Sequence, residues 1–287
     1  MFSFAKDIVF FTYLHCGYVP LRDAVLARRG RARAVVLCYH RIGARDVMTK
    51  PTQEFRRDLE YLKSNYECIS LWELCERLRA NQLLKRPMAV VTFDDGYRDN
   101  LTEAVPVLQE AGMPATFFVA TGFMGTDRIF PHDVELARRN GATGVGAPDG
   151  YPKLTWDDLR AMQAAGFEIG AHTVNHVDLG LADEPMAESE IKDGLAMLNQ
   201  ELGERPRAFA FPWGKPANIT KRALEVVQEA GYYAAVSAYG GANTCGANPF
   251  NIHRVDAGNG RFSPLTLRAR VAGCDPDYFK LKVKKLV

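Results

Sequence analysis

Two short segments of the 287-residue chain bring together side chains able to do chemistry. The apolar run 88–93 ends in Asp94-Asp95-Gly96. Neighbouring strand residues point to opposite faces, so adjacent carboxylates share a site only where the strand ends and the backbone turns, which Gly96 permits. Such a pair repels itself unless a cation or a shared proton offsets the repulsion. A solvated Asp-Gly turn capping the helix that starts near Asn100 is the plainer alternative. The second segment, His172-Thr173-Val174-Asn175-His176, closes the apolar run 167–172. Histidines four apart lie on one face of a helical turn and can converge on a metal, commonly zinc, although the same spacing occurs on exposed helices. Zinc proteases carry a glutamate directly after the first histidine; Thr173 stands there, so the protease base is missing. The carboxylate ligand and the carboxylate base that the histidines lack are what Asp94 and Asp95 can supply.

From residue 33 onward, short β-branched and apolar runs alternate with segments of helical period. Strands are predicted at 33–40, 88–93, 115–121, 167–172, 207–212, 232–237 and 250–255. Helices are predicted at 52–64, 71–80, 100–111, 155–165, 184–202, 219–230 and 264–272. Asp157 and Asp158 suit the dipole in the first turn of the fourth helix, and Ala-Gly pairs at 111–112, 165–166 and 230–231 mark helix ends. Alternation along the whole chain predicts parallel βαβ units. Seven units are too many for a small open sheet and about right for an α/β barrel, with chemistry collected where strands end. The long irregular stretch 122–153, with Gly141, Gly144, Gly146 and Gly150, is expected to be a functional lid or a disordered segment. Thr126, Asp127, His132 and Asp133 within it fit substrate contact and plain solvation equally, and are given no role.

The composition, 47% hydrophobic and 24% charged, excludes a disordered, collagenous or polytopic membrane chain. Thirty-six Lys+Arg against thirty-four Asp+Glu leave +2, which gives no whole-molecule field to recruit nucleic acid. The six cysteines, Cys16, Cys38, Cys68, Cys75, Cys245 and Cys274, form no C-x-x-C pair and read as reduced thiols. Cys38 alternates with Val36 and His40 and reads as a small barrel-lining residue without chemistry. Residues 1–32 are apolar and aromatic, but Lys6 and Asp7 interrupt them, and the clean run falls short of the roughly 18 residues of a membrane span. A charge-led start and a small-residue cleavage site are missing, so the expectation is a cytoplasmic protein, peripheral to the inner face of the membrane. The segment is expected to be helical, either packing Phe4, Ile8, Phe11 and Leu14 on the body or laying that face in a bilayer interface. Arg28, Arg29, Arg31, Arg33 and the basic tail 276–287 suit an anionic membrane surface, although a charge run is often simply solvated.

TFDDG followed by HTVNH, each at the C-terminal end of a predicted strand, resembles the polysaccharide deacetylases, carbohydrate esterase family 4 or the NodB-homology domain, over about residues 33 to 256. The resemblance implies an α/β fold of one distorted (β/α)7-type barrel, over 33–275, and a divalent metal, usually zinc with cobalt or nickel as alternatives, held by Asp95, His172 and His176, with Asp94 as general base. The family's third motif, arginine-any-proline-tyrosine-glycine, aligns with Ala210-Phe211-Pro212-Trp213-Gly214. Its arginine, which pairs with the catalytic aspartate in the family, is replaced by Ala210; Arg254 is the candidate substitute, against a surface ion pair. Pro212, Trp213 and Gly214 would shape the substrate and oxyanion side, with the Trp213 N–H as donor. The strand with Tyr39-His40 stands first, as in the circularly permuted branch that includes deacetylases of poly-N-acetylglucosamine. His40 is therefore the expected general acid and His253 its rival. The implied reaction is removal of N-acetyl groups from N-acetylhexosamine units of a polysaccharide or lipid-linked glycan. A metal-dependent amidase on a small non-sugar amide and a carbohydrate-binding pseudoenzyme are the alternatives; the missing motif arginine favours the latter.

Overall fold

The computed structural model describes residues 2–43, 49–139, 151–258, 263–275 and 278. Helices α1 (Phe2–His15) and α2 (Tyr18–Arg28) precede strand β1 (Ala34–Tyr39), and the short strands β2 (Arg41–Gly43) and β3 (Thr49–Pro51) lead into α3 (Thr52–Asn65). There follow β4 (Glu67–Cys68), α4 (Leu71–Arg79), β5 (Met88–Phe93), a π-helical turn at Asn100–Ala104 continuing as α5 (Val105–Ala111), and β6 (Ala115–Val119). Next come α6 (Pro131–Arg139), α7 (Trp156–Ala164), β7 (Glu168–Ala171), α8 (Glu184–Leu202) and β8 (Ala208–Ala210). The chain continues through α9 (Lys221–Glu229), β9 (Ala234–Val236), β10 (Arg254–Asp256) and α10 (Pro264–Val271).

Seven parallel strands run in the order β10-β1-β5-β6-β7-β8-β9, and β4 pairs with the start of β5. A parallel bridge from Val236 to Ile252, just ahead of β10, nearly closes the barrel. Period-two alternation sorts its side chains. Even-numbered residues such as Val36, Val90, Phe118, Ala208, Ala234 and Val236 share one buried cluster, whereas odd-numbered Leu37, Val91, Phe117, Ile169 and Phe209 join a second with the helices. Side-chain caps start the helices where polar residues precede an apolar pattern: Ser70 accepts from Glu73 N–H, Thr220 from Ala223 N–H, and Thr155 with Asp158 forms a capping box.

The parity also explains Gly170. A Cβ there would stand 2.6 Å from the Phe118 ring and 2.7 Å from Ala208 O, between two barrel strands. Gly170→Ala is expected to cost about 1–3 kcal/mol through overpacking, read as a lowered denaturation midpoint; an unchanged midpoint would show that the strands can part.

Three expectations need correction. The last strand begins at Arg254, not at residue 250, because Pro249–Asn251 forms a 3-10 turn in which the Asn248 side chain accepts from Phe250 N–H. The stretch 122–153 is not irregular throughout: α6 occupies part of it and Lys153 bridges to Tyr97, while 140–150, with the four glycines, lies outside the described residues. The N-terminal segment is two helices, broken at Gly17 with φ +81°. α1 buries Phe10 and hydrogen-bonds Tyr13 to Ala272 O, whereas Ile8 and Phe11 are exposed and Leu14 is half-buried. Ile8 and Phe11 are therefore not packed on the body, the first of the two placements considered for this face; the Phe4 side chain and, apart from Tyr278, the tail 276–287 lie outside the described residues. Among the described residues no helix is long and apolar enough to cross a membrane.

Candidate active site

The C-terminal ends of the barrel strands surround a cleft of about 230 Å³ lined by residues that include Asp94, Asp95, His40, His172, His176 and Trp213. Asp94 continues the inward parity of β5. Asp95 enters the same space because its own backbone is left-handed, φ +75°, as is that of Gly96. The turn thus begins one residue earlier than the glycine. Of the five non-glycine residues with positive φ among the described residues, Asp95, His176 and Trp213 line this cleft, the usual place for stored backbone strain, and Thr173 adjoins the lining His172.

The histidines converge, but not on a helical turn as their spacing suggested. Residues 172–176 form a bend in which left-handed Thr173 and His176 fold the chain back. Glu190 of α8 holds that bend, accepting from the backbone N–H groups of Val174 and Asn175 at 2.9 and 2.7 Å and from Asn175 Nδ2. His172 Nε2 and His176 Nε2 lie 3.6 and 3.2 Å from Asp95 Oδ1. Ligand atoms of a tetrahedral zinc stand roughly 3.3 Å apart, given bonds of about 2.0–2.1 Å. Apart from its contact with His176, the buried Asp95 Oδ1 has no hydrogen-bond partner among the described residues, as expected of an oxygen reserved for a cation. His172 Nδ1 sits 2.8 Å from Ala210 O, which assigns the proton to that nitrogen and leaves the Nε2 lone pair free. Burial pushes the His172 imidazole down to about 4, so it is neutral near pH 7. The donor set fits a divalent ion.

Asp94 is fixed from beneath. Arg254, fully buried, donates from both terminal nitrogens to its two oxygens at 2.6 and 2.7 Å, and from Nε to Ser237 O. It makes no surface ion pair. Burial alone would raise the Asp94 carboxyl, but the guanidinium and the nearby His172 outweigh it and hold the group down at about 2. Cys38 Sγ stands 3.3 Å from Asp94 Oδ2, at the inward position its alternation indicated. His40 shares a cluster of close donor atoms with Cys38 and Asp94, and its Nδ1 has no hydrogen-bond partner among the described residues. His253 is turned away, its ring against Tyr239 and Tyr278, because it alternates with the inward Arg254.

The turn after β8 presents Trp213, 46% exposed, edge-to-face with the His176 ring at 4.7 Å. Gly214 N–H donates to Pro212 O, and Ala238 N–H to Gly214 O. A Cβ on Gly214 would fall 2.6 Å from Ala238 N, so only glycine admits this close approach. No backbone hydrogen bond among the described residues uses the Trp213 N–H.

Sequence reasoning missed His132. Its Nε2 is 3.6 Å from Asp95 Oδ2 and 2.9 Å from Tyr97 Oη, whose hydroxyl donates to Asp133 Oδ2. Its ring stacks on the buried Phe130. Burial lowers the His132 imidazole to about 4 and raises the Asp133 carboxyl to about 6. The available signal was the apolar pair Ile129-Phe130 close ahead of it, of which Phe130 is buried and anchors the segment while Ile129 is exposed. Asp256 and Lys215, also unassigned, complete the cleft wall.

A nearly closed parallel barrel with paired aspartates and converging histidines at its strand ends is the arrangement of a (β/α)-barrel hydrolase. The polysaccharide deacetylase family model matches residues 82–235. The chain belongs to that family. It is 22% identical over 255 residues to the poly-beta-1,6-N-acetyl-D-glucosamine N-deacetylase of Staphylococcus epidermidis, covering 81% of each chain. Among solved structures, IcaB from Ammonifex degensii superposes with a TM-score of 0.67 and 25% identity, over 84% of this chain and 97% of the other. The Streptococcus pyogenes deacetylase PplD, solved with acetate, gives 0.67 and 22% over 84% and 99%, a likeness of fold.

Proposed function

We propose that this protein is a metal-dependent hydrolase that removes N-acetyl groups from N-acetylhexosamine units of a glycan. The observation that carries the reading is the placement of His172 Nε2 and His176 Nε2 around the buried Asp95 Oδ1, with Asp94 in the same cleft. The similarity to a poly-beta-1,6-N-acetyl-D-glucosamine deacetylase over most of both chains supports a β-linked N-acetylglucosamine polymer as substrate.

Asp95, His172 and His176 hold the ion, zinc or alternatively cobalt or nickel. A divalent ion there supplies Lewis acidity, polarising the acetyl carbonyl and lowering the pKa of water from about 15.7 toward 7, as an Asp94 of such low basicity requires. Arg254 keeps Asp94 ionised and in one orientation, with lone pairs remaining on its oxygens to accept a proton from the attacking water. As the water oxygen bonds to the acetyl carbon, the carbonyl oxygen takes up negative charge, and the Trp213 N–H, which no backbone hydrogen bond among the described residues uses, is assigned as a donor to it; such a donor counts for roughly 3 kcal/mol. His40 then protonates the amine nitrogen as its bond to carbon breaks, releasing acetate and a free amine. Trp213 offers an apolar face to a sugar ring. The pseudoenzyme reading rested on the absent motif arginine, and Arg254 makes the contact with Asp94 that the arginine would make.

Acetate release from N-acetylglucosamine oligomers tests the reading. Activity is expected to vanish with a chelator and return with Zn²⁺, and His172→Ala is expected to lose bound metal by elemental analysis as well as turnover. Full activity in protein stripped of metal would overturn it.

A further inference from the structure

The end of the barrel opposite the cleft carries a surface of different chemistry. α2 finishes there: Leu84 N–H donates to Gly30 O and Ala32 N–H to Leu84 O, just ahead of β1 and β5. Tyr18, Leu21 and Val25 of α2, three and four apart and so on one face, are 52, 67 and 39% exposed. Leu83, 56% exposed, extends this ridge beside Gly30. On α1, Ile8 and Phe11 are also more than half exposed. Contiguous apolar surface of this kind marks an interaction site.

The ridge runs into a hollow of about 390 Å³ walled by Arg28, Arg29, Lys85 and Leu83. None of the three cations has an ion-pair partner among the described residues. Residues 24–36 and 77–90, which include the end of α2 and the starts of β1 and β5, contain no aspartate or glutamate. Nearby Arg22, Arg77 and Arg79 are paired with Asp23, Glu67, Glu73 and Glu76, which leaves Arg28, Arg29 and Lys85 as the cations without an acidic partner among the described residues.

We propose that this face docks on an anionic lipid bilayer, the α2 ridge entering the boundary between headgroups and acyl chains while Arg28, Arg29 and Lys85 take lipid phosphates. An apolar helix face rimmed by cations is the combination that holds a protein in the plane of such a surface. A second copy of the chain is a poor occupant, because a two-fold contact would set the three cations against their own counterparts. The inference is independent of the deacetylase reading.

Flotation of the full chain with phosphatidylcholine vesicles, with and without phosphatidylglycerol, tests it. Binding is expected only to vesicles containing phosphatidylglycerol, with release at 1 M salt, where the screening length falls to about 3 Å. Arg28→Gln/Arg29→Gln/Lys85→Gln is expected to lower partitioning roughly a hundredfold, each cation near an anionic surface counting for about fivefold. Leu21→Glu/Val25→Glu should also release the protein. Both variants should keep the parent's thermal midpoint and acetate release from soluble oligomers. Equal binding to both vesicle types, or none, overturns the proposal. So does a dimer in sedimentation velocity that Leu21→Glu dissolves, which assigns the ridge to a second copy.

Discussion

Asp94→Asn is expected to lower acetate release by about 10²–10⁴-fold, the range that a positioned acid or base supplies. An amide cannot take up the proton that the carboxylate accepts, and its NH₂ group would meet the Arg254 guanidinium donor to donor. The metal content of the variant should equal the parent's, because Asp95, His172 and His176 are untouched. That pairing of lost turnover with retained ion separates a base from a ligand. Acetate release within tenfold of the parent would falsify the role of Asp94.

The second large effect is on stability. Arg254→Leu leaves a buried carboxylate without its partner, and breaking such a pair from one side costs about 3–5 kcal/mol. Denaturant unfolding at pH 7 reads the loss. The pH dependence gives the sign. In the parent, Asp94 sits at about 2, below the roughly 3.9 of an unfolded chain, so its stabilising contribution is present at neutral pH and is lost only as pH falls through that window. Without the guanidinium, burial prevails and lifts the carboxyl above its unfolded value. The variant should then gain stability relative to the parent as pH is lowered. Asp94→Leu/Arg254→Leu should recover much of the loss, since an apolar pair of similar volume carries no desolvation penalty. A single variant as stable as the parent at pH 7 would mean that Asp94 finds another partner.

The seven barrel strands were legible because each is a short apolar run between helix-period segments, and the helix starts because polar caps precede them. What the sequence hid depends on tertiary contacts. The histidines four apart suggested a helical turn, but Glu190, fourteen residues beyond His176, imposes a bend that no local pattern encodes. His132 looked like any polar loop residue; only the stacking of its ring on Phe130 and its contact with Tyr97 bring it to Asp95. Arg254 could be singled out because it lies near the end of the expected strand 250–255, although β10 in fact begins with it, and its inward direction follows from the even-numbered parity of the barrel strands. His253 falls on the outer face for the same reason. For α1 the sequence left open whether Ile8 and Phe11 pack on the body, since several apolar residues in that helix compete for the inner face; Phe10 takes it, beside the Tyr13 contact with Ala272.

The catalytic mouth and the cation-rich hollow stand at opposite poles of one barrel. A strand of six residues such as β1 spans roughly 20 Å, so the poles are separated by at least that distance. Docked as proposed at the lower pole, the protein would hold its mouth pointing outward, beyond the reach of a sugar still seated at the docking surface. Such an orientation suits a long chain paid out past a fixed post, trimmed along its length some way from its point of origin.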